Sequence, residues 1–509
     1  LTFKELSPDT VHGINYGDLN VTDFNFDLQD FELFNDDLDF ESAAVSFKEQ
    51  SGFVLNKLFL EQTALKSDTI TTESLQIHTP GSFIELRNFL MDYSSPESFS
   101  DFADAVSFEG TFSDSTHVLA SDLNNFLPVS LAGFDDLALS GSISGQLNRL
   151  KIRNFKLRLG NILRMQMHSQ INKGLNPDSA AFDIEIQDFR VYPELLGQIR
   201  IEGTDSAIID IPTELSAFRQ IDFQGAAAGN THEYRTIGSI DSPGGKIDFR
   251  FSGGSDSLRS HFLTGQVSTQ NIALGKILDN SAIGEFSAKQ SIDFALNRDE
   301  TIALEAAGMI DSIDYNNYRY RAVSTYADVN ESDIDSFSVS VKDPNIDLAI
   351  EGSAELRHQL PLFNFSAEVN HLDLNALNLY TDQKPARLSF LIEGNFSGDT
   401  PDSFTGQIAL KKPLNIALDT IEARLDNFVL SSEVAAYEHG DEIKRYRLYS
   451  DVLDAEMMLK GSTTKVLGAV RQTLTAYMPA LFSEFRDNSD YSSVRAELDL
   501  KIKDSEFVF

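Results

Sequence analysis

Cysteine and tryptophan are both absent from the 509 residues. Without cysteine there are no disulfides, no thiolate metal sites and no cysteine nucleophile; the lack is compatible with an oxidising compartment without establishing one. Without tryptophan, the large apolar area falls to 38 Phe, a residue with good strand propensity and no polar handle. Basic residues are scarce: 41 Lys and Arg stand against 78 Asp and Glu, and the formal net charge of −37 argues against nucleic acid as a partner. No apolar run is long enough to span a bilayer, and no signal peptide opens the chain. The start at Leu1 without Met, and the strand-like end Phe507-Val508-Phe509, read as a piece of a longer protein whose targeting segment or anchor lies outside it.

What the chain has in abundance is alternation. Phe24, Phe26 and Leu28 alternate with Asn25, Asp27 and Gln29; Ile346, Leu348 and Ile350 alternate with Asp347, Ala349 and Glu351. Phe363, Phe365, Ala367 and Val369 alternate in the same way with Asn364, Ser366 and Glu368. Period two with one apolar face is the pattern of a half-buried β-strand. At roughly 12 to 15 residues per strand and turn, the length predicts about 30 to 35 strands, which in a single sheet would extend on the order of 150 Å. The expected fold is therefore all-β: one long, curled, mostly antiparallel sheet with a few short helices, treated as a single elongated unit over 1–509. Pro80, Pro128, Pro344 and Pro413 mark strand breaks rather than domain boundaries.

Glycines recur ahead of apolar residues, as in Gly110-Thr111-Phe112, Gly141-Ser142-Ile143, Gly265-Gln266-Val267, Gly394-Asn395-Phe396 and Gly406-Gln407-Ile408, and they suit the starts of strands. Helical spacing appears in Val118, Leu119, Leu123, Phe126 and Leu127 ahead of Pro128, in Ile272 to Ile283, and over 464–486. In that last segment Leu467, Val470, Leu474, Met478, Leu481 and Phe485 share a face, with Pro479 set to kink it. Packing on the sheet or capping an open end is the expected role; docking on a membrane surface is the alternative, weakened by a polar face that is not notably basic.

Catalytic constellations are near misses. Gly141-Ser142-Ile143-Ser144-Gly145 has Ile143 where a nucleophile elbow needs serine. Asp328, Asn330 and Ser332 have calcium-loop spacing, but Asp333 replaces the turn glycine and Val339 the bidentate acid. His78, His117, His232 and His371 are scattered, and the pairs Asp36-Asp37 and Asp135-Asp136 point their side chains to opposite faces of a strand. Gly253-Gly254 lacks the lysine of a phosphate loop, and Gly244-Gly245, which Lys246 follows, lacks the helix opening. The expectation is a protein that is not an enzyme, with no metal and no cofactor.

One basic stretch runs against the overall charge. Arg149, Lys151 and Arg153 share a strand face opposite Leu150 and Ile152, and Lys156 and Arg158 follow a phase shift near Asn154 that reads as a β-bulge. Cross-strand pairing with acidic neighbours is the expected explanation, and contact with lipid head groups or an acidic partner the alternative.

So much one-faced sheet must close into a sandwich filled by side chains or curl around a guest. An apolar lining without convergent polar groups suits acyl chains, each buried methylene being worth roughly 0.8 kcal/mol. The candidate lining is Phe24, Phe26, Leu28, Ile184, Ile186, Ile247, Phe249, Phe251, Ile346, Leu348, Ile350, Phe363, Phe365, Leu388, Phe390 and Ile392.

The succession from Leu75-Gln76-Ile77-His78-Thr79-Pro80-Gly81-Ser82-Phe83-Ile84, through Leu119 to Pro128, to Leu139-Ser140-Gly141-Ser142-Ile143-Ser144-Gly145 resembles the TamB family of the AsmA-like group. Asn317-Tyr318-Arg319-Tyr320, Asp343-Pro344-Asn345-Ile346 and the segment Asn370 to Leu379 are similar to elements of the Bacteroidota versions. The likeness covers about Tyr16 to Phe485 and rests on strand edges and turns. It implies a periplasmic protein anchored in the inner membrane, folded as a taco-shaped β-groove, carrying phospholipid between the inner and outer membranes. It also implies an alternative: a scaffold or chaperone for outer-membrane β-barrel assembly with a TamA-type partner. The family's anchor and C-terminal domain are not matched here. A surface adhesin or polysaccharide-active enzyme is disfavoured, since neither aromatic platforms built on Trp nor a carboxylate site are evident.

Overall fold

Period-two segments of β-branched and aromatic residues become long strands because the pleat sends alternate side chains to opposite faces. In the computed structural model, which describes residues 2–4, 14, 18–127, 130–174, 179–201, 211–212, 215, 218–380, 386–419, 421–438, 441–463, 465–466 and 495–503, they form 31 strands. The fold is all-β. Nearly every strand pairs antiparallel with its sequence neighbour through a short turn, as Asp333–Asp343 does with Ile346–Glu355, and the few helices are short.

Two compact units divide the chain, Leu1–Asp256 with Val267–Asp279, and Ser257–Gln266 with Asn280–Phe509. One of the boundaries, between Gln266 and Val267, falls inside the strand Arg259–Ile272, while those at Asp256 and Asp279 fall in connecting segments. In the first unit a meander runs from Asp18–Phe34 to Gly245–Gly254; in the second, another runs from Ile283–Asn297 to Arg495–Ile502.

Helical segments are shorter than their spacing predicts and sit at strand ends. Val118 and Leu119 are strand residues, and only Ala120–Leu123 and the 3-10 turn Asn124–Phe126 are helical; Pro128 lies outside the described residues. Of Ile272 to Ile283, just Leu274–Ile277 is a helix, held by the Ala273 amide donating to the Gly244 carbonyl at 2.8 Å. The segment 464–486 lies outside the described residues except for Lys465 and Val466.

The glycines also fall elsewhere than expected. Gly110, Gly141, Gly265 and Gly394 lie within strands rather than at their starts, and Gly406 alone is near one. Gly141, at φ +123°, marks the register shift between Ser140 and Ser142. The bulge expected near Asn154 is present: Asn154 takes φ +48° and the register shifts between Ile152 and Phe155. Asn tolerates this left-handed conformation better than most residues, and the extra residue returns Phe155 and Leu157 to the face of Leu150 and Ile152.

Outer faces are laced by ion pairs. Asp333, nearly buried, accepts hydrogen bonds from the Leu356 and Arg357 amides at 2.8 and 3.1 Å and from the Arg357 guanidinium at 2.7 Å. Arg357 holds its carboxyl below the usual range, as Arg190 does for Asp222 and Arg319 for Asp314. A depressed carboxylate pKa adds stability above the ordinary value near 4 and withdraws it as pH falls through the folded-state value. Thermal melts between pH 7 and pH 2 are therefore expected to show Arg357→Gln less stable than wild type at neutral pH, with the difference shrinking below about pH 4. A difference that stays constant into acid contradicts this linkage.

Candidate functional site

Register carries apolar residues of one face onto apolar or small neighbours, so the alternation of single strands becomes rows crossing many strands. In the second unit Ile346, Leu372, Leu388 and Ile416 form one row, and Ile350, Ala367, Ile392 and Leu410 another. Phe365, Gly394, Ile408, Leu430, Leu448, Ala455 and Leu500 form a third. In the first unit Leu28, Ala43, Leu60, Leu75, Leu86 and Phe112 are aligned, and Ile143, Ile152, Ser169, Ile184, Ala227, Thr236 and Phe251 follow on the same face. Ile186 lies opposite Gly225, Phe249 opposite Gly238 and Ile247 opposite Ile240.

All the candidate lining residues described as pairs thus fall on one face of their own unit. Ile184, Ile186, Ile247, Phe249 and Phe251 belong to the first unit; Ile346, Leu348, Ile350, Phe363, Phe365, Leu388, Phe390 and Ile392 belong to the second. Phe26 and Leu28 share the first unit's face, and Phe24 sits at the bulge between Thr22 and Asn25. Phe24 and Phe26 are 51% and 58% exposed, on a strand that among the described residues is paired along most of its length on one side only.

Burial is uneven in a way that defines the site. At one strand-end rim of the second unit, the turn after Asp373 inserts Leu377, fully buried, against Val323, Val341 and Ile346. At the opposite rim, Lys444 stands on the apolar face between Val434 and Leu459. Its Nζ donates to the Asp402 carbonyl at 2.7 Å, the Tyr446 hydroxyl donates to the Pro401 carbonyl at 3.1 Å, and the Phe404 ring lies 5.2 Å from that of Phe396. Burial pushes the Lys444 pKa below its ordinary value. Between these rims Leu348, Ile350, Phe365, Phe390, Ile392 and Leu430 are only half-buried.

The first unit is built the same way. Phe126 meets Phe53 at 5.0 Å beside buried Ile14 and Leu55 at one rim, and Phe99 meets Tyr93 at 4.8 Å at the other. Ile152, Leu157, Ile184, Ile186, Phe223 and Phe249 between them stay half-buried. A solid core would leave such residues almost inaccessible. Each unit therefore presents an apolar trough that crosses its strands and is covered at its edges.

Sequence reasoning missed the role of the mid-strand glycines. A Cβ on Gly394 would lie 2.3 Å from the Phe365 ring, and one on Gly238 would lie 2.6 and 2.7 Å from the rings of Phe249 and Phe223. The rings lie down over neighbouring strands where no side chain stands, which lowers the floor. The alternation of Phe with cross-strand Gly was visible only once register was known. Gly394→Val is expected to lift the Phe365 ring into the trough at a cost of about 1–3 kcal/mol. A loss of that size in thermal or denaturant unfolding, with the far-UV circular dichroism retained, is the expected result; unchanged stability counts against a lowered floor.

The basic stretch is not neutralised as expected. Arg149 lies between Gln146 and Asn172, Lys151 between Ser144 and Gln170, and Lys156 between Ser140 and Gln166. The acidic cross-strand partners are missing because the bulge and register put neutral amides and hydroxyls beside these cations. Further along, Arg158 and Arg164 do find Asp136 and Asp188, at 2.9 and 3.0 Å. All these charged side chains point away from the face of Leu150 and Ile152, so none of them stands on the apolar rows.

Other titratable groups are engaged locally. His117 Nδ1 is 2.9 Å from the Ser115 carbonyl, and His78 Nε2 is 3.3 Å from Gln76 Oε1. Among the described residues no three His, Asp or Glu side chains are grouped to hold a metal, and no helix is long and apolar enough to cross a membrane. Comparison with protein families, with characterised proteins and with solved structures gives no match.

Proposed function

We propose that this chain is a non-enzymatic conduit for phospholipid, holding acyl chains on its apolar rows while head groups remain in water. The observation that carries the reading is the half-burial of the rows between covered rims. A lipid leaving a bilayer gives up roughly 0.8 kcal/mol for each methylene it exposes, so only a surface that replaces nearly all of that contact can take it. The rows repeat the same apolar contact at about 4.8 Å intervals, strand after strand, so a bound chain can shift across them without a deep trap. Phe without Trp keeps polar groups off the floor, and acidic outer faces keep so much sheet in solution. The resemblance to the TamB family supports a setting in the periplasm, with the inner membrane on one side and the outer membrane on the other.

Native mass spectrometry of gently purified protein is expected to find phospholipid, and delipidated protein is expected to take up a fluorescent analogue. Absence of both sinks the proposal.

A second reading, as a scaffold for β-barrel assembly with a TamA-type partner, draws on the strand Asp18–Phe34. Among the described residues its stretch from Thr22 to Phe34 pairs with no strand other than Asp37–Glu49. That leaves a long edge open to strand addition. Crosslinks from this edge to a barrel protein, without lipid in the trough, favour it.

A further inference from the structure

We propose that the stripe of Arg149, Lys151, Arg153 and Lys156 is a docking site for an extended acidic polypeptide segment. All four side chains are exposed, and none makes a hydrogen bond or ion pair among the described residues, in a chain whose net charge is −37. Arginines further along the same sheet are matched: Arg158 by Asp136, Arg164 by Asp188, Arg190 by Asp222. Unmatched cations amid so many carboxylates leave a strong local attraction for an anion.

Shape selects the anion. Arg149, Lys151 and Arg153 stand at alternate positions of one strand, so their Cα atoms are spaced by about 6.7 Å, the spacing of alternate carboxylates along another extended chain. The stripe is one strand wide. Its immediate neighbours are Ser142, Ser144, Gln146, Gln170 and Asn172, whose hydroxyls and amides neither repel an acid nor compete as counter-charges. At the bulge His168 Nδ1 accepts from the Asn154 amide at 2.9 Å, and one strand further out stand Glu109, opposite Ser144, Asp183, opposite Gln170, and Glu185, opposite His168. A planar anionic bilayer spanning that width would press on those carboxylates as well as on the cations, whereas a single acidic strand stays between them. At physiological salt, where screening sets in at about 8 Å, this local arrangement outweighs the distant net charge. Because these side chains are on the opposite face from the apolar rows, the site is independent of any cargo.

The test uses the whole chain and a fluorescein-labelled peptide of about twelve alternating Asp and Thr residues, long enough to span the stripe, with an Asn–Thr peptide as the neutral control. Fluorescence anisotropy is expected to show the acidic peptide bound about tenfold more tightly than the control. The triple variant Arg149→Ser, Lys151→Ser, Arg153→Ser should abolish that preference, Lys151→Glu alone should weaken it, and Lys411→Ser, which removes a cation matched by Glu393, should leave it intact. Thermal melts establish that the variants fold, as exposed positions allow. Phosphatidylglycerol vesicles should not bind through these residues. Equal binding of both peptides, retention of the preference in the triple variant, or vesicle binding lost with the three cations would each overturn the proposal.

Discussion

Phe365→Asp, Phe249→Asp and Leu348→Asp are each expected to strip bound phospholipid from the protein and to cut its transfer between vesicles by at least about tenfold, while leaving the fold in place. A carboxylate on the floor must be desolvated when an acyl chain covers it, and an unpaired buried charge costs several kcal/mol or forces the lipid away. In free protein the same carboxylate keeps its water, because these positions are half-buried. The stability loss should therefore be limited to the side-chain contacts given up, about 1–2 kcal/mol.

In a solid sandwich the outcome reverses: an aspartate in place of a packed phenylalanine unfolds the unit before any lipid measurement is possible. Circular dichroism and lipid mass spectrometry on the same three proteins thus separate the two architectures. Folded variants that still transfer lipid at the wild-type rate would exclude the trough as the path. Since Phe249 belongs to one unit and Phe365 and Leu348 to the other, the set also asks whether both faces carry cargo.

The trough's strands were legible in the sequence, and its edges were not. Period two in Ile346-Asp347-Leu348-Ala349-Ile350 is a local consequence of the pleat, so each strand and its apolar face can be read from a few residues. Register and capping are non-local. Nothing in the spacing of Leu374 to Tyr380 says that Leu377 will be fully buried beneath Val323 and Val341, or that Lys444 will lie on the apolar face with its ammonium satisfied by backbone carbonyls. The same blindness explains the basic stripe: Arg149, Lys151 and Arg153 were visible, but whether acids or amides stood beside them depended on Gln146, Gln170 and Asn172, placed by two registers and a bulge. Glycines in strands read as punctuation because their cross-strand partners, the rings they make room for, are far away in sequence.

Rim and floor should therefore respond oppositely, and Leu377→Ala is the sharpest rim test. Leu377 has no exposed surface, and its turn is fixed by the Ala376 amide donating to the Asp373 carboxylate at 3.0 Å and by the Asn378 side chain donating to the Asn316 carbonyl at 2.9 Å. Those bonds hold the backbone in place when the side chain is cut back, so the cavity has little means of collapse. Truncation is expected to cost about 2–5 kcal/mol, the range for a buried leucine. Hydrogen exchange should rise around Val323, Val341 and Ile346, which pack on it, while phospholipid occupancy at a temperature where the variant is folded stays near wild type, because Leu377 is not on the half-buried floor. The physical reason for the contrast is that a covered rim stores packing energy and an open floor holds it in reserve for a guest. Should Leu377→Ala prove as mild as Phe365→Asp in stability, or strip lipid as completely, rim and floor are not distinct and the half-burial of the rows has another cause.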